Sequence, residues 1–174
     1  MNPRPGLEIE VKLRVPALEP LAGRLAGLGF AECEPLQAEQ SVLWDRGGDL
    51  LERGCALRVR RYAGRAWITF KGRKQDHPEL KIRPEFETGI EDPEALEAIL
   101  DALGYRPCLR MAKARALWRG PGLVACLDET PVGRFLELEG DEDRIRAAMA
   151  DLGIGADAIE PRSYPSLYRD AGLA

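Results

Sequence analysis

Apolar positions recur along this chain with two different periods. In Leu7-Glu8-Ile9-Glu10-Val11-Lys12-Leu13-Arg14, apolar and charged residues alternate without a break, the period of an extended strand with two unlike faces. Similar strand-like runs cover residues 40–45, 55–62, 67–71, 81–88, 110–119, 123–128 and 134–140. With the opening run they make about eight strands, mostly in neighbouring pairs, which predicts a largely antiparallel sheet. Ala63-Gly64-Arg65 is a compact turn that joins two of them as a hairpin.

The second period is helical. Leu18, Leu21, Leu25 and Leu28 fall on one face before Gly29. Asp92 is a natural N-cap, Pro93 suits the first helical position, and Leu96, Ile99, Leu100 and Leu103 form the stripe before Gly104. Asp141, Glu142 and Asp143 favour the positive end of a third helix, whose stripe is Ile145, Ala148, Met149 and Leu152 and whose stop is Gly153. All three end in Leu-Gly followed by a large apolar residue: Phe30, Tyr105 and Ile154. Glu8-x-Glu10, Glu85-x-Glu87 and Glu137-x-Glu139 each end a strand-like run that precedes one of these helices, a pattern compatible with one strand-to-helix unit used three times around a barrel.

Length and composition narrow the class. At 174 residues, 45% apolar and 31% charged, the chain reads as a single globular domain spanning 1–174. A net charge of −4 argues against bulk nucleic-acid binding, which needs a large positive field, but leaves room for a local basic site. The four cysteines lie far apart, with no C-x-x-C pair and one histidine, His77, so they read as reduced thiols rather than a zinc site. Residues 1–6 have no apolar signal-peptide core and no run approaches membrane-spanning length, so the expectation is a cytoplasmic protein with no membrane partner.

The charged faces carry the candidate chemistry, because side chains two apart on a strand share a face. They are Glu8, Glu10, Lys12 and Arg14; Arg58 and Arg60; Lys71; Arg83, Glu85 and Glu87; Lys113 and Arg115; Asp128; and Glu137 and Glu139. The opposite faces are regularly apolar, as in Leu57 and Val59, Ile68 and Phe70, or Leu136 and Leu138. Two architectures satisfy this pattern: a sheet whose charged face meets water, or a closed barrel with the charge in its lumen and helices over its apolar outside. The kind of charge bears on the choice. Arginine's planar fork suits phosphate oxygens, and paired carboxylates suit Mg²⁺ or Mn²⁺. The natural guest of a lumen holding both is a polyphosphate, with a divalent metal bridging it to the acids.

These residues resemble a known family. Glu8-Ile9-Glu10-Val11-Lys12 is similar to the Glu-x-Glu-x-Lys signature of the CYTH proteins, or triphosphate tunnel metalloenzymes. Leu57-Arg58-Val59-Arg60, Thr69-Phe70-Lys71-Gly72, Arg83-x-Glu85-x-Glu87, Lys113-x-Arg115, Leu127-Asp128, Phe135-Leu136-Glu137-Leu138-Glu139 and Ser163-Tyr164 resemble its further elements, in order over nearly the whole chain. Two departures stand out. Many relatives read Asp-x-Tyr-Phe-Asp where this chain has Ser41-Val42-Leu43-Trp44-Asp45, and Pro84 predicts that its strand lies at an edge or is locally irregular.

The resemblance implies an α+β fold: an eight-stranded antiparallel closed β-barrel, or tunnel, with a charged lumen and flanking helices. It implies that Glu8, Glu10 and Glu139 hold a catalytic Mg²⁺ or Mn²⁺, with Glu137, Glu85, Glu87 and Asp128 as further metal or water-positioning groups. Lys12, Arg58, Arg60, Lys71, Arg83, Lys113 and Arg115 would grip a triphosphate, and Lys12 joins Glu8, Glu10 and Glu139 in the catalytic set. Two reactions fit: hydrolysis of tripolyphosphate, thiamine triphosphate or a nucleotide, and the class IV adenylyl cyclase reaction from ATP to cyclic AMP and pyrophosphate. In layout the chain looks most like the cyclase-type subgroup, while hydrolysis demands least of the site. A polyphosphate-binding module is the non-enzymatic alternative, and a homodimer is compatible with the family.

Overall fold

The computed structural model describes residues 6–173, so residues 1–5, part of the stretch read for a signal peptide, lie outside the described residues. The strands are β1 (Gly6–Arg14), β2 (Ala31–Asp45), β3 (Ala56–Tyr62), β4 (Arg65–Lys71), β5 (Lys81–Ile90), β6 (Arg106–Gly120), β7 (Leu123–Thr130) and β8 (Gly133–Gly140). They close into one barrel in the order β1-β5-β4-β3-β2-β6-β7-β8, with every neighbouring pair antiparallel. Of the two architectures the alternation allowed, the closed barrel is the one adopted. Closure pairs every strand on both sides and so removes exposed sheet edges.

The helices are α1 (Glu19–Gly27), α2 (Asp49–Glu52), α3 (Pro93–Ala102), α4 (Glu142–Asp151) and α5 (Tyr164–Asp170), with a 3-10 turn at Ala156–Ala158. None is long and apolar enough to cross a membrane. The three Leu-Gly endings work as the sequence suggests. The residue after each glycine donates its backbone N–H back across the last turn: Phe30 to Leu25 O at 3.0 Å, Tyr105 to Leu100 O at 2.9 Å, and Ile154 to Met149 O at 2.9 Å. This closure requires a left-handed residue in between, supplied by Gly29, Gly104 and Gly153 with φ of 82°, 86° and 57°. Asp92 caps α3 by accepting from Ala95 N at 2.8 Å, and Asp141 caps α4 by accepting from Asp143 N at 3.1 Å.

The apolar strand faces point outward, under these helices. One core gathers Val11 and Leu13 of β1, Ala125 and Leu127 of β7, and Leu136 and Leu138 of β8 under Leu21 and Leu25 of α1, Ile145 of α4 and Leu152 at its C-cap. A smaller core packs Val42 and Trp44 of β2 and Val59 of β3 against Leu96 and Leu100 of α3. With the grease outside, alternation leaves the charged residues nowhere to go but the lumen.

Several boundaries differ from expectation. Strand β2 begins at Ala31 rather than near 40, and its ladder with β6 shifts register between Glu32 and Glu34, between Glu34 and Gln37, and between Leu43 and Trp44. Pro35 sits in the second of these irregularities, where its missing donor costs no ladder bond, and the shifts broke the alternation that would have revealed the strand. Pro84 does not lie on a sheet edge, because the barrel has none: it is paired with Leu7 of β1. Toward β4 the ladder ends one residue earlier, at Lys71–Glu85, and the Pro84 carbonyl accepts from Gly72 N at 2.8 Å. The missing N–H therefore falls at the end of that ladder, the local irregularity expected. Helices α2 and α5 carry too few turns for a period to show, and α5 is fixed by burial of Leu167 and Tyr168.

Candidate functional site

The lumen is a cavity of about 380 Å³ lined by charge from the strand faces named above. Its acidic wall runs across three adjacent strands, β8, β1 and β5. Glu10 stands directly opposite Glu139 in the β1–β8 ladder, and Glu8 lies on the same face two residues away. Glu8 accepts from Lys71 Nζ at 2.7 Å and Arg83 Nε at 2.7 Å, and Glu10 from Lys81 Nζ at 3.1 Å. Glu85 accepts from Lys71 Nζ at 2.6 Å. Glu139 has no such partner in the ion pairs among the described residues. Partial burial and then the charges of Glu8, Glu10 and Glu85 push its carboxyl up to about 7.

The basic wall is built by β3, β4 and β6. Arg60 Nη2 reaches the Glu87 carboxylate at 3.1 and 3.2 Å, and Thr69 Oγ1 donates to the same group at 2.7 Å. Arg58 lies 3.7 Å from Glu87. The Nε atoms of both Arg58 and Arg60 are buried with no hydrogen-bond partner among the described residues. A buried arginine donor without an acceptor is costly, and both line the cavity, where an anionic guest would satisfy them. On β6, Arg115 grips Asp128 with Nε to Oδ1 at 2.6 Å and Nη2 to Oδ2 at 2.6 Å, and its Nη2 also reaches Glu137 at 2.5 Å. Lys113 Nζ donates to Asp128 Oδ2 at 2.8 Å.

The C-terminal segment closes this side. Glu160 N donates to Lys12 O at 2.8 Å, and the Glu160 carboxylate takes Arg162 at 2.8 Å on each oxygen and Arg14 at 3.2 Å. Those bonds, Arg162 foremost, hold the Glu160 carboxyl down at about 2. Its contribution to stability is full above the ordinary value of 4.5 and is lost as pH falls towards 2. Glu160→Gln is therefore expected to make thermal stability less pH-dependent between about pH 4.5 and 2, which a series of melting curves would check. Beyond this anchor, Tyr164 enters the lumen and donates its hydroxyl to Asp128 Oδ2 at 2.5 Å. Lys12 is 2% exposed; burial outweighs the pull of Glu137, 3.5 Å away, and brings its ammonium down to about 7.

The donor chemistry fits a hard divalent cation. Among the described residues no three His, Cys, Asp or Glu side chains stand together as a ready-made cage, because lysines and arginines draw the carboxylates apart. Yet desolvation, and after it the crowding of Glu8, Glu10 and Glu85, raises the Glu139 carboxyl to about 7, and a divalent cation answers the same excess of negative field. Asp128, Glu137 and Glu87, like Glu8, Glu10 and Glu85, have arginines or lysines on their oxygens, and Glu139 alone of these acids has none among the described residues.

Of the charged residues singled out from the sequence, all line the cavity but two: Asp128 stands behind Lys113 and Arg115, and Arg14 is turned away to the Val132 carbonyl and Glu160. Sequence reasoning missed two more. Lys81 is buried and paired to Glu10; carrying the β5 alternation two residues back from Arg83 would have found it. Glu39, 2% exposed, lies 3.6 Å from Lys113, 3.7 Å from Arg115 and 3.8 Å from Arg60, and those cations with Arg58 overcome its burial to hold its carboxyl at about 2. It belongs to the stretch of β2 that the irregularities concealed. His77 is a loop residue as expected, its Nδ1 accepting from Leu80 N at 2.8 Å. Trp44 and Trp118 are core, whereas Trp67 carries the guanidinium groups of Arg60 and Arg65 at 4.8 and 5.3 Å from its ring.

Known proteins share this fold. A protein of Methanocaldococcus jannaschii, whose name proposes adenylate cyclase activity, is 29% identical over 172 residues, covering 92% of this chain and 98% of its own. A solved structure from Vibrio parahaemolyticus, also described as a proposed adenylate cyclase, superposes with a TM-score of 0.83 at 19% identity, covering 95% and 99% of the two chains. A Hippeastrum protein, described as a proposed adenylyl cyclase with a dominant triphosphatase activity, superposes with a TM-score of 0.71 at 20% identity, over 94% and 96%. At those identities the two structures speak for the fold. The CYTH domain model matches residues 6–164, and with it the chain belongs to the CYTH domain family.

Proposed function

We propose that this CYTH protein is a divalent-metal-dependent triphosphatase that holds its substrate in the barrel lumen. The observation that carries this reading is the pair of buried Arg58 and Arg60 donors, left without acceptors in a cavity that also presents Lys12, Lys71, Lys81, Arg83, Lys113 and Arg115. Such a set matches the spread of negative oxygens on a triphosphate, whether tripolyphosphate, thiamine triphosphate or ATP. Glu8, Glu10 and Glu139, with Glu85 beside them, are the residues to hold Mg²⁺ or Mn²⁺. Once bound, the cation supplies Lewis-acid stabilisation of phosphoryl charge and lowers the pKa of water. Lys12, whose ammonium burial brings down to about 7, donates to phosphate oxygens from the tunnel floor. Asp128, Glu137 and Glu87 act on Arg115, Lys113, Arg60 and Arg58, fixing the cations in place so that little reorganisation is needed when charge develops.

Class IV adenylyl cyclase activity is the second reading, favoured by the name of the Methanocaldococcus jannaschii relative. Hydrolysis is preferred because β2 offers Ser41 and Leu43 to the interior, and Leu43, Leu51 and Met111 give the tunnel an apolar stretch with few groups to read a base. The Hippeastrum protein shows that a cyclase-type description can accompany dominant triphosphatase activity. Incubating the purified protein with Mg²⁺ or Mn²⁺ and tripolyphosphate, thiamine triphosphate or ATP, then separating the products, decides the matter. Orthophosphate is expected. Cyclic AMP with pyrophosphate would favour the cyclase reading, and tight binding without turnover would leave a binding module.

A further inference from the structure

Tyr164 has an environment that ordinary packing does not account for. The Lys12 ammonium lies 3.4 Å from the centre of its ring and the Lys113 ammonium 4.3 Å from it. Two like charges thus share one aromatic side chain. Phe135 meets the ring edge-on, with centroids 5.5 Å apart and planes at 81°, which fixes its tilt. The hydroxyl is bonded to Asp128, which also accepts from Lys113. The polar contacts of Lys12 are long ones: the Arg162 carbonyl at 3.4 Å and the Glu137 carboxylate at 3.5 Å. For this buried amine the negative face of the ring adds compensation at the same range as those two oxygens.

The segment that carries Tyr164 is anchored on both sides. Before it, Ile159 bridges to Leu13 and Glu160 holds Arg14 and Arg162. After it, Ser163 caps α5, and the Tyr168 hydroxyl donates to the Ala112 carbonyl beside Lys113. We propose that Tyr164 is a positioning residue of the tunnel: its ring holds the Lys12 and Lys113 ammonium groups side by side on the lumen floor, so that the C-terminal segment sets the spacing of two phosphate-gripping amines contributed by β1 and β6. The proposal rests on the reading of the lumen as a triphosphate site, and it assigns the role to the ring face rather than to the hydroxyl.

Three variants separate ring from hydroxyl and from bulk. Tyr164→Phe keeps the face and loses the bond to Asp128. Tyr164→Met fills the space without a π face, and Tyr164→pentafluorophenylalanine keeps the ring's shape while reversing the sign of its face. With tripolyphosphate and Mg²⁺, Phe is expected to hold KM within about threefold of the parent, whereas Met and the fluorinated ring raise KM about tenfold or more with a smaller change in kcat. Equal KM values for Phe and the fluorinated ring would overturn the proposal, and this comparison stands even if the Met variant does not fold. A second readout is independent of turnover: trinitrobenzenesulfonate labelling mapped by mass spectrometry. Lys12 and Lys113 should stay protected with Phe and become several-fold more reactive with the fluorinated ring, relative to exposed Lys74; unchanged labelling would count against the proposal. If the parent protein neither binds nor turns over a triphosphate, the functional reading fails, while the labelling still decides whether Tyr164 positions the two amines.

Discussion

Replacing Arg115 with methionine is expected to cost about 3–5 kcal/mol of stability, a fall in Tm of roughly 6–20 °C. The reason is the company Arg115 keeps. Its guanidinium stands between Asp128, which is fully buried, Glu137, 2.5 Å from Nη2, and Glu39, 3.7 Å from Nε. Methionine has similar volume and flexibility, so little packing is lost, but three carboxylates keep their burial and lose their strongest common partner. Lys113 and Lys12 remain nearby and cannot supply the bidentate geometry that Arg115 gives Asp128. Pairing the change with Asp128→Asn removes one of the stranded charges and should recover at least about 1 kcal/mol of the loss. Chemical denaturation of the parent, the two single variants and the double variant tests this. A loss below about 1 kcal/mol for Arg115→Met would mean that water, rather than arginine, satisfies these acids.

Glu139→Gln should have opposite effects on activity and on stability. As a proposed metal ligand, its loss removes a share of the several kcal/mol that a divalent ion contributes to phosphoryl transfer. Metal-dependent triphosphate turnover should fall by about 10²–10³-fold. The stability effect follows from the raised pKa. The folded protein holds the Glu139 proton to about 7 against an ordinary value of 4.5. Its stabilising contribution is full below pH 4.5 and is lost as pH rises through 7, because above that point folding confines another negative charge beside Glu8, Glu10 and Glu85. Glutamine does not titrate. The variant should therefore match or exceed the parent in Tm above pH 7 in the presence of EDTA, with the advantage fading towards pH 5. Glu139 keeps contact with solvent, so screening holds the gain below about 1 kcal/mol. Added Mg²⁺ should raise the Tm of the parent and not that of the variant. A variant that retained full turnover would remove Glu139 from the metal set.

Strand alternation and helix punctuation made much of this protein legible without a structure. The period of two in 7–14, 81–88 and 134–140 sorts Glu8, Glu10, Arg83, Glu85, Glu137 and Glu139 onto common faces, because a strand offers only two. The Leu-Gly endings located three helices, because only glycine closes such an end at low cost. Where the chain is irregular, the period is lost. Pro35 and the three register shifts of β2 broke the alternation and hid Glu39, although this residue is as deeply buried as Lys12. Helix α5 has seven residues, too few to display a period, so Tyr164 could be read only as part of a short motif.

By itself, then, the sequence determined which side chains share a face, because that is a local property of backbone geometry. Only the tertiary structure decided which faces meet. Closure of β8 against β1 sets Glu10 opposite Glu139 across 129 residues of chain, and docking of the C-terminal segment brings Tyr164 to Lys12 across 152. The same closure turned the charged faces inward. Charge against water and charge against charge look alike along a strand; they differ only once the barrel excludes the water and each carboxylate must find its cation within the lumen.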